Sequence, residues 1–228
     1  MSLLERTEKP INNNLKTYED MVSDLEQNQI VFSFVNRIND LKKSGKKSFG
    51  IMSIGYPELQ HRVILAASGL LQRYNMNEKL GIVINSKSLV LQKFIKKSEK
   101  YERKFNSSSI LNYNFHKKFD FTVMEEFVKY YDQHTELEYY NLINDYNEDN
   151  DIILWDLPLI SEIKGNHGLY MPLLQEMNDI FLVLPATGTT KDELTLIKEY
   201  FTNFNIEIRG VMLETDKSKT KKWWEFWK

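Results

Sequence analysis

The stretch Ser48-Phe49-Gly50-Ile51-Met52-Ser53-Ile54-Gly55-Tyr56-Pro57-Glu58-Leu59-Gln60-His61-Arg62-Val63-Ile64-Leu65-Ala66-Ala67 decides the fold. Residues 48–54 are a short, mostly apolar run of strand length. Gly55 and Pro57 then mark a loop. From about Leu59 to Tyr74 the pattern becomes helical, small and apolar on one side through Ala66, Ala67 and Gly69. A short apolar strand passing directly into an amphipathic helix is the start of a βα unit, and such strands are buried on both faces of a parallel sheet.

The same grammar recurs on both sides. Upstream, Met21, Val22, Leu25, Ile30, Phe34, Val35, Ile38 and Leu41 predict a helix over Thr17–Leu41, followed by a basic turn, Lys42–Lys47, around Gly45. Downstream, Leu80–Ile84 reads as a strand and Ser88–Lys97 as a helix. Residues 98–122 are polar and Ser/Asn-rich, with one short strand expected at Ile110–Phe115. Helices follow at Val123–Tyr131 and Glu136–Tyr146, and a buried strand at Asp151–Asp156. Helix Leu169–Met177, strand Ile180–Leu184, helix Lys191–Phe204 and strand Ile206–Leu213 complete the alternation. The pattern predicts a Rossmann-like α/β domain of three layers with a mostly parallel central sheet. Residues 1–16 are expected to form a flexible lead, 17–214 a single domain, and 215–228 a tail.

Composition narrows the function classes. A chain of 228 residues with 42% apolar and 27% charged residues is ordinary for a globular protein. Its formal net charge of −2 gives no general argument for nucleic-acid binding. Without cysteine it has no disulfide, thiolate metal site or cysteine nucleophile. Met1–Arg6 does not resemble a signal peptide, and no window reaches the roughly 20 apolar residues of a membrane span. His61, His116, His134 and His167 are scattered without metal-binding spacing, so no metal site is expected. Lys164–Gly168 reads as a surface loop. Tyr130, Tyr131, Tyr139, Tyr140 and Tyr146 read first as packing and surface residues, with a partner-facing patch as the alternative.

Three segments, in this order, resemble the MinD/ParA group of P-loop proteins, and most of all the cytoplasmic domain of bacterial tyrosine kinases of polysaccharide export. They are Ile51–Ala67, then Ile152-Ile153-Leu154-Trp155-Asp156-Leu157-Pro158, then Asn178–Thr190 with Ile208-Arg209-Gly210-Val211-Met212-Leu213. The second resembles a Walker B strand with its Asp. The match spans roughly residues 30–214. It implies a P-loop NTPase-like fold and a phosphate site between the first strand and its helix.

The departures from that pattern fall on the chemistry. A phosphate loop works because glycines let backbone N–H groups approach the anion, a Lys reaches the phosphate oxygens, and a hydroxyl holds Mg²⁺. Here the loop positions from Gly55 to Arg62 are degenerate, with Pro57 and Leu59 at cradle-glycine positions. Gln60 stands for the Lys and His61 for the hydroxyl residue. The Asp-x-Asp of the next strand end reads Asn85-Ser86-Lys87, and Asp156 alone remains of the carboxylates. Losing cation, hydroxyl and carboxylate together would raise a phosphoryl-transfer barrier by on the order of several kcal/mol. The resulting expectation is a pseudo-ATPase that is not an enzyme and needs no cofactor. Arg62 and His61 could still support weak nucleotide or anion binding. Two alternatives stay open: a plain βα loop of another Rossmann-like fold, and an active hydrolase with a non-standard loop.

The tail is legible without any family. The basic run Lys217, Lys219, Lys221, Lys222 precedes Trp223-Trp224-Glu225-Phe226-Trp227-Lys228. At about 100° per residue, Trp223, Trp224, Phe226 and Trp227 share one helix face of about 160°. Clustered Trp marks an interface. Trp beside Lys suits an anionic membrane surface, while a partner groove and a fold-back onto the domain are the rivals. The expected location is cytoplasmic and peripheral at the inner membrane. The expected partners are the membrane or a membrane protein, and homo- or hetero-oligomers with related ATPase-like subunits.

Overall fold

The computed structural model describes residues 29–54, 57–85, 92, 95–96, 98–106, 108–115, 119–185 and 191–214. In chain order these form α1 (Gln29–Lys43), β1 (Ser48–Ser53), α2 (Pro57–Tyr74), β2 (Leu80–Ile84), β3 (Glu99–Lys104), β4 (Ser109–Phe115) and β5 (Phe119–Val123). Then come α3 (Met124–Gln133), α4 (Glu136–Glu148), β6 (Ile152–Asp156), α5 (Ile160–Gly165), α6 (His167–Glu176), β7 (Asp179–Pro185), α7 (Lys191–Thr202) and β8 (Glu207–Glu214). One eight-stranded sheet runs in the order β3-β4-β5-β2-β6-β1-β7-β8. Every pairing from β5 to β8 is parallel, and only the β3–β4 and β4–β5 pairs are antiparallel. The mostly parallel α/β architecture read from the sequence is the one observed.

Side-chain alternation along the strands explains the three layers. Phe49, Ile51, Ile82, Ile84, Ile152, Leu154, Phe181 and Val183 pack with α1 and α2 on one face. Their neighbours in the chain, Met52, Val83, Ile153, Trp155, Ile180 and Leu182, pack on the other face with residues of α3 to α7. Because successive side chains point to opposite faces, a strand that is apolar throughout must be covered on both. Gly50 belongs to the second face and has no room for more. A Cβ there would lie 2.5 Å from Met177 Sδ and 2.7 Å from Leu157 Cδ1. Trp155 is fully buried, and its indole N–H is satisfied by Ser48 Oγ at 2.9 Å.

At the start of β7, opposite the strand C-termini, the fully buried Asp179 is held by two cations. Lys46 Nζ and Arg209 Nε each lie 2.9 Å from it. The hydrogen bond to Asp179 is the main cause of a raised Arg209 pKa.

Several boundaries differ from the sequence expectation. Residues 98–122 carry three strands instead of one. β3, Glu-Lys-Tyr-Glu-Arg-Lys, is an almost wholly exposed edge strand, so no apolar alternation announces it, and its strand character comes from the ladder with β4. The helix after the first strand starts at Pro57, earlier than Leu59, and proline suits a first helical position, where its missing N–H would be unpaired anyway. Lys164–Gly168 is a helix junction, not a loop: Asn166 N–H donates to Glu162 O and Ile163 O between α5 and α6. Among the tyrosines, Tyr139 and Tyr146 are fully buried core residues. The lead, the first part of the expected N-terminal helix, most of the expected helix at 88–97, and the tail lie outside the described residues.

Candidate functional site

The parallel pairings bring the C-terminal ends of β1, β2 and β6 to one end of the sheet, where α2 begins. Asp156, the last residue of β6, sits there at zero exposure. Burying a carboxylate is tolerated only when its oxygens are paired, and each oxygen here is. Gln60 Nε2 donates to Oδ1 at 2.5 Å, and the backbone N–H of Asn85 donates to Oδ2 at 2.8 Å. His61 Nδ1 lies 2.6 Å from the same Oδ2. Since Oδ2 already accepts from Asn85, the carboxylate is the acceptor and His61 Nδ1–H the donor.

Gln60 does more than meet Asp156. Its Oε1 accepts from the backbone N–H of Ser53, which settles which end of the carboxamide is nitrogen. Its Nε2 then faces Ile51 O at 2.9 Å and Leu157 O at 2.7 Å as well as Asp156. Two amide hydrogens thus serve three acceptors on β1, β6 and the residue after β6. The side chain is 3% exposed and ties the end of β1 to the end of β6 through its own helix. Ser53 Oγ is buried beside it and finds no hydrogen-bond partner among the described residues.

The structure therefore gathers four of the residues singled out in the sequence, Gln60, His61, Asn85 and Asp156, into one buried network. Asn85 contributes its backbone N–H to Asp156, a role that substitution tables for its side chain could not show. Arg62 is half-buried one residue further along α2. Pro57 and Leu59 lie in the first turn of α2, their side chains outside the described residues, and Gly55 and Lys87 lie outside them altogether. So do Lys219, Lys221, Lys222, Trp223, Trp224, Phe226 and Trp227.

This geometry can be set against a Mg²⁺-nucleotide, the group such a fold implies. Asp156 Oδ2 has both lone pairs occupied, Oδ1 has one taken, and Gln60 is a neutral amide engaged at both ends. As arranged, these residues do not fit that group. Among the described residues no helix is long and apolar enough to cross a membrane.

Comparison with solved structures places the fold. The chain is similar to the kinase domain of Escherichia coli tyrosine kinase ETK, with a TM-score of 0.53 at 12% identity, covering 79% of this chain and 72% of that one. It is similar to the VpsO kinase domain, with a TM-score of 0.54 at 12% identity over 84% of this chain and 97% of that one. The chimerical protein CapA2B2 matches with a TM-score of 0.51, again at 12% identity, over 93% and 88% of the two chains. The fold is that of tyrosine-kinase domains of this kind, a mostly parallel α/β sheet covered on both faces. No family model and no curated protein sequence matches the chain. One expectation is corrected by the comparison. Kinase domains carry this fold, and that overturns the reading that the chain is not an enzyme.

Proposed function

We propose that this chain is a tyrosine-kinase-like scaffold or regulator at the cytoplasmic face of a membrane machine of polysaccharide synthesis or export. One observation carries the reading: on a kinase-domain fold, the carboxylate of Asp156 is taken up by the chain's own Gln60, His61 and Asn85. Such a network knits the ends of three strands to α2, which suits a domain that presents a fixed surface to partners, including related ATPase-like subunits. The reading does not depend on an absence of turnover. The tail, basic and then Trp-rich, supports docking on the membrane or on a membrane protein. Flotation with anionic liposomes tests this, comparing the full chain with a version ending at Lys222. The full chain should float and the shortened one should not. If neither floats, the membrane reading fails and a protein partner takes its place.

The His61–Asp156 contact favours a second reading, a nucleotide hydrolase with a non-standard loop. A carboxylate that orients an imidazole is a recurrent acid–base pairing, although a nucleotide would require Gln60 and His61 to release Asp156. Calorimetry with ATP, ADP and GTP in the presence of Mg²⁺ decides between the readings. Micromolar binding that is lost in Asp156→Ala, but not in the surface variant Lys129→Ala, would establish the second. Absence of binding would leave the first.

A further inference from the structure

Away from Asp156, a cleft of about 590 Å³ opens between α3 and the β3–β4 hairpin. Its apolar lining includes Phe105 and Ile110. Tyr130, in the last turn of α3, and His134, the extended residue that follows the helix, also line it, with their rings stacked at 3.8 Å between centroids and 6° between planes. His134 Nδ1 lies 2.9 Å from Tyr130 O, a backbone tie that holds the imidazole in place. The lining carries both charges, Glu102 and Glu126 with Lys104 and Lys129. At this volume the cleft is in the range that binds compact ligands or a few side chains.

The sheet register shows what is nearby. Val123 at the end of β5 pairs with Ile84, and Asn112 of β4 pairs with Thr122, so the β3–β4 turn lies at the end of the sheet where the parallel strands finish. Glu214, the last residue of β8, leaves the sheet at that same end. From β4 to β8 there are six strand spacings, about 29 Å. The nine residues from Glu214 to Trp223 reach about 30 Å when extended, and five more follow. The segment they deliver, Lys222-Trp223-Trp224-Glu225-Phe226-Trp227-Lys228, is aromatic with charges of both signs, as the cleft is.

We infer that this cleft is the resting site, within the same chain, of the C-terminal segment Lys217–Lys228. Indoles stack on the Tyr130–His134 pair and on Phe105, while Glu225 and the lysines meet charges of the opposite sign at the rim. The inference rests on the proposed role of the tail as a docking segment and adds its regulation. A tail held in the cleft crosses the end of the sheet above Asp156 and is released when an outside surface competes for its aromatics. Cleft and membrane are then alternatives for one segment.

Tryptophan fluorescence tests this, because three of the four tryptophans are in the tail and the fourth, Trp155, is fully buried. In lipid-free buffer, acrylamide should quench the full chain several-fold less than a peptide of residues 215–228. Once the constant signal of buried Trp155 is subtracted, as measured on the chain ending at Asp216, the double variant Tyr130→Ala/His134→Ala should quench like the peptide. It should also float more strongly than the unaltered chain with phosphatidylglycerol-containing vesicles. Hydrogen exchange needs no substitution in the folded part: residues 104–111 and 126–134 should lose protection when the chain ends at Asp216. Quenching of the full chain equal to that of the peptide, after the same subtraction of the Trp155 signal, would overturn the inference. So would shielding that disappears on dilution, which would put the tail in another copy. Flotation without prior shielding leaves the membrane reading standing and removes the latch. Shielding without flotation does the reverse.

Discussion

Gln60 and Asp156, 96 positions apart, are joined by a buried hydrogen bond of 2.5 Å from Nε2 to Oδ1. The residue that the sequence resemblance sets at a phosphate-loop lysine position is, in the structure, the partner of a buried carboxylate. This one contact links the sequence-level departure at the loop to the stability of the whole strand end.

Gln60→Ala leaves Asp156 Oδ1, Ser53 N–H and Leu157 O without a shared partner. Unsatisfied buried groups cost about 1–3 kcal/mol each, more when charged, so a loss of about 3 kcal/mol is expected in urea denaturation. A double-mutant cycle of His61→Ala with Asp156→Ala should give a coupling of about 1–3 kcal/mol. Additivity within about 0.5 kcal/mol would contradict the network.

Asp179 provides the comparison at the opposite end of the sheet. Asp179→Ala removes the shared partner of Lys46 and Arg209, whose side chains are about 30% exposed and can turn to solvent, and should cost about 1–3 kcal/mol, the range of a hydrogen bond to a charged group. Lys46→Met combined with Asp179→Leu should recover much of that loss. Chemical denaturation of the three proteins checks both statements.

Asp149 gives a pH dependence. Burial alone would raise its carboxyl pKa, but hydrogen bonds from Lys79 at 2.6 Å and from Arg103 at 2.6 Å outweigh that and hold it below the ordinary value. A folded-state pKa below the unfolded one contributes stability above the unfolded value, which is lost as pH falls through the folded value. Asp149→Asn should therefore lower Tm at pH 7 and make progressively less difference below about pH 4. Thermal melts of both proteins from neutral to acidic pH would show the two curves converging. A constant gap would refute the assignment.

Gly50→Ala tests the packing of the second face. The new methyl would meet Met177 Sδ and Leu157 Cδ1 below contact distance, and overpacking of this kind costs about 1–3 kcal/mol. Met177→Ala in the same chain should relieve part of the strain. A neutral Gly50→Ala melt would mean that the β1 backbone has more room than the structure allows.

The sequence by itself determined the sheet. Runs such as Ile152–Trp155 and Ile180–Leu184 are apolar at every position, too short for a core helix and rich in β-branched and aromatic residues, so they read as strands covered on both faces and the βα order followed. It also singled out Gln60, His61, Asn85 and Asp156 as candidate site residues. Tertiary structure alone decided what they do together. His61 and Gln60 lie about 95 positions from Asp156, and no local periodicity encodes a hydrogen bond across that separation. The exposed edge strand β3 was hidden for a related reason: its ladder with β4 is made by the backbone, while its side chains carry no burial signal. Burial leaves a periodic trace in the sequence, whereas pairing between distant polar groups is set by topology, which brings the ends of β1, β2 and β6 to one point.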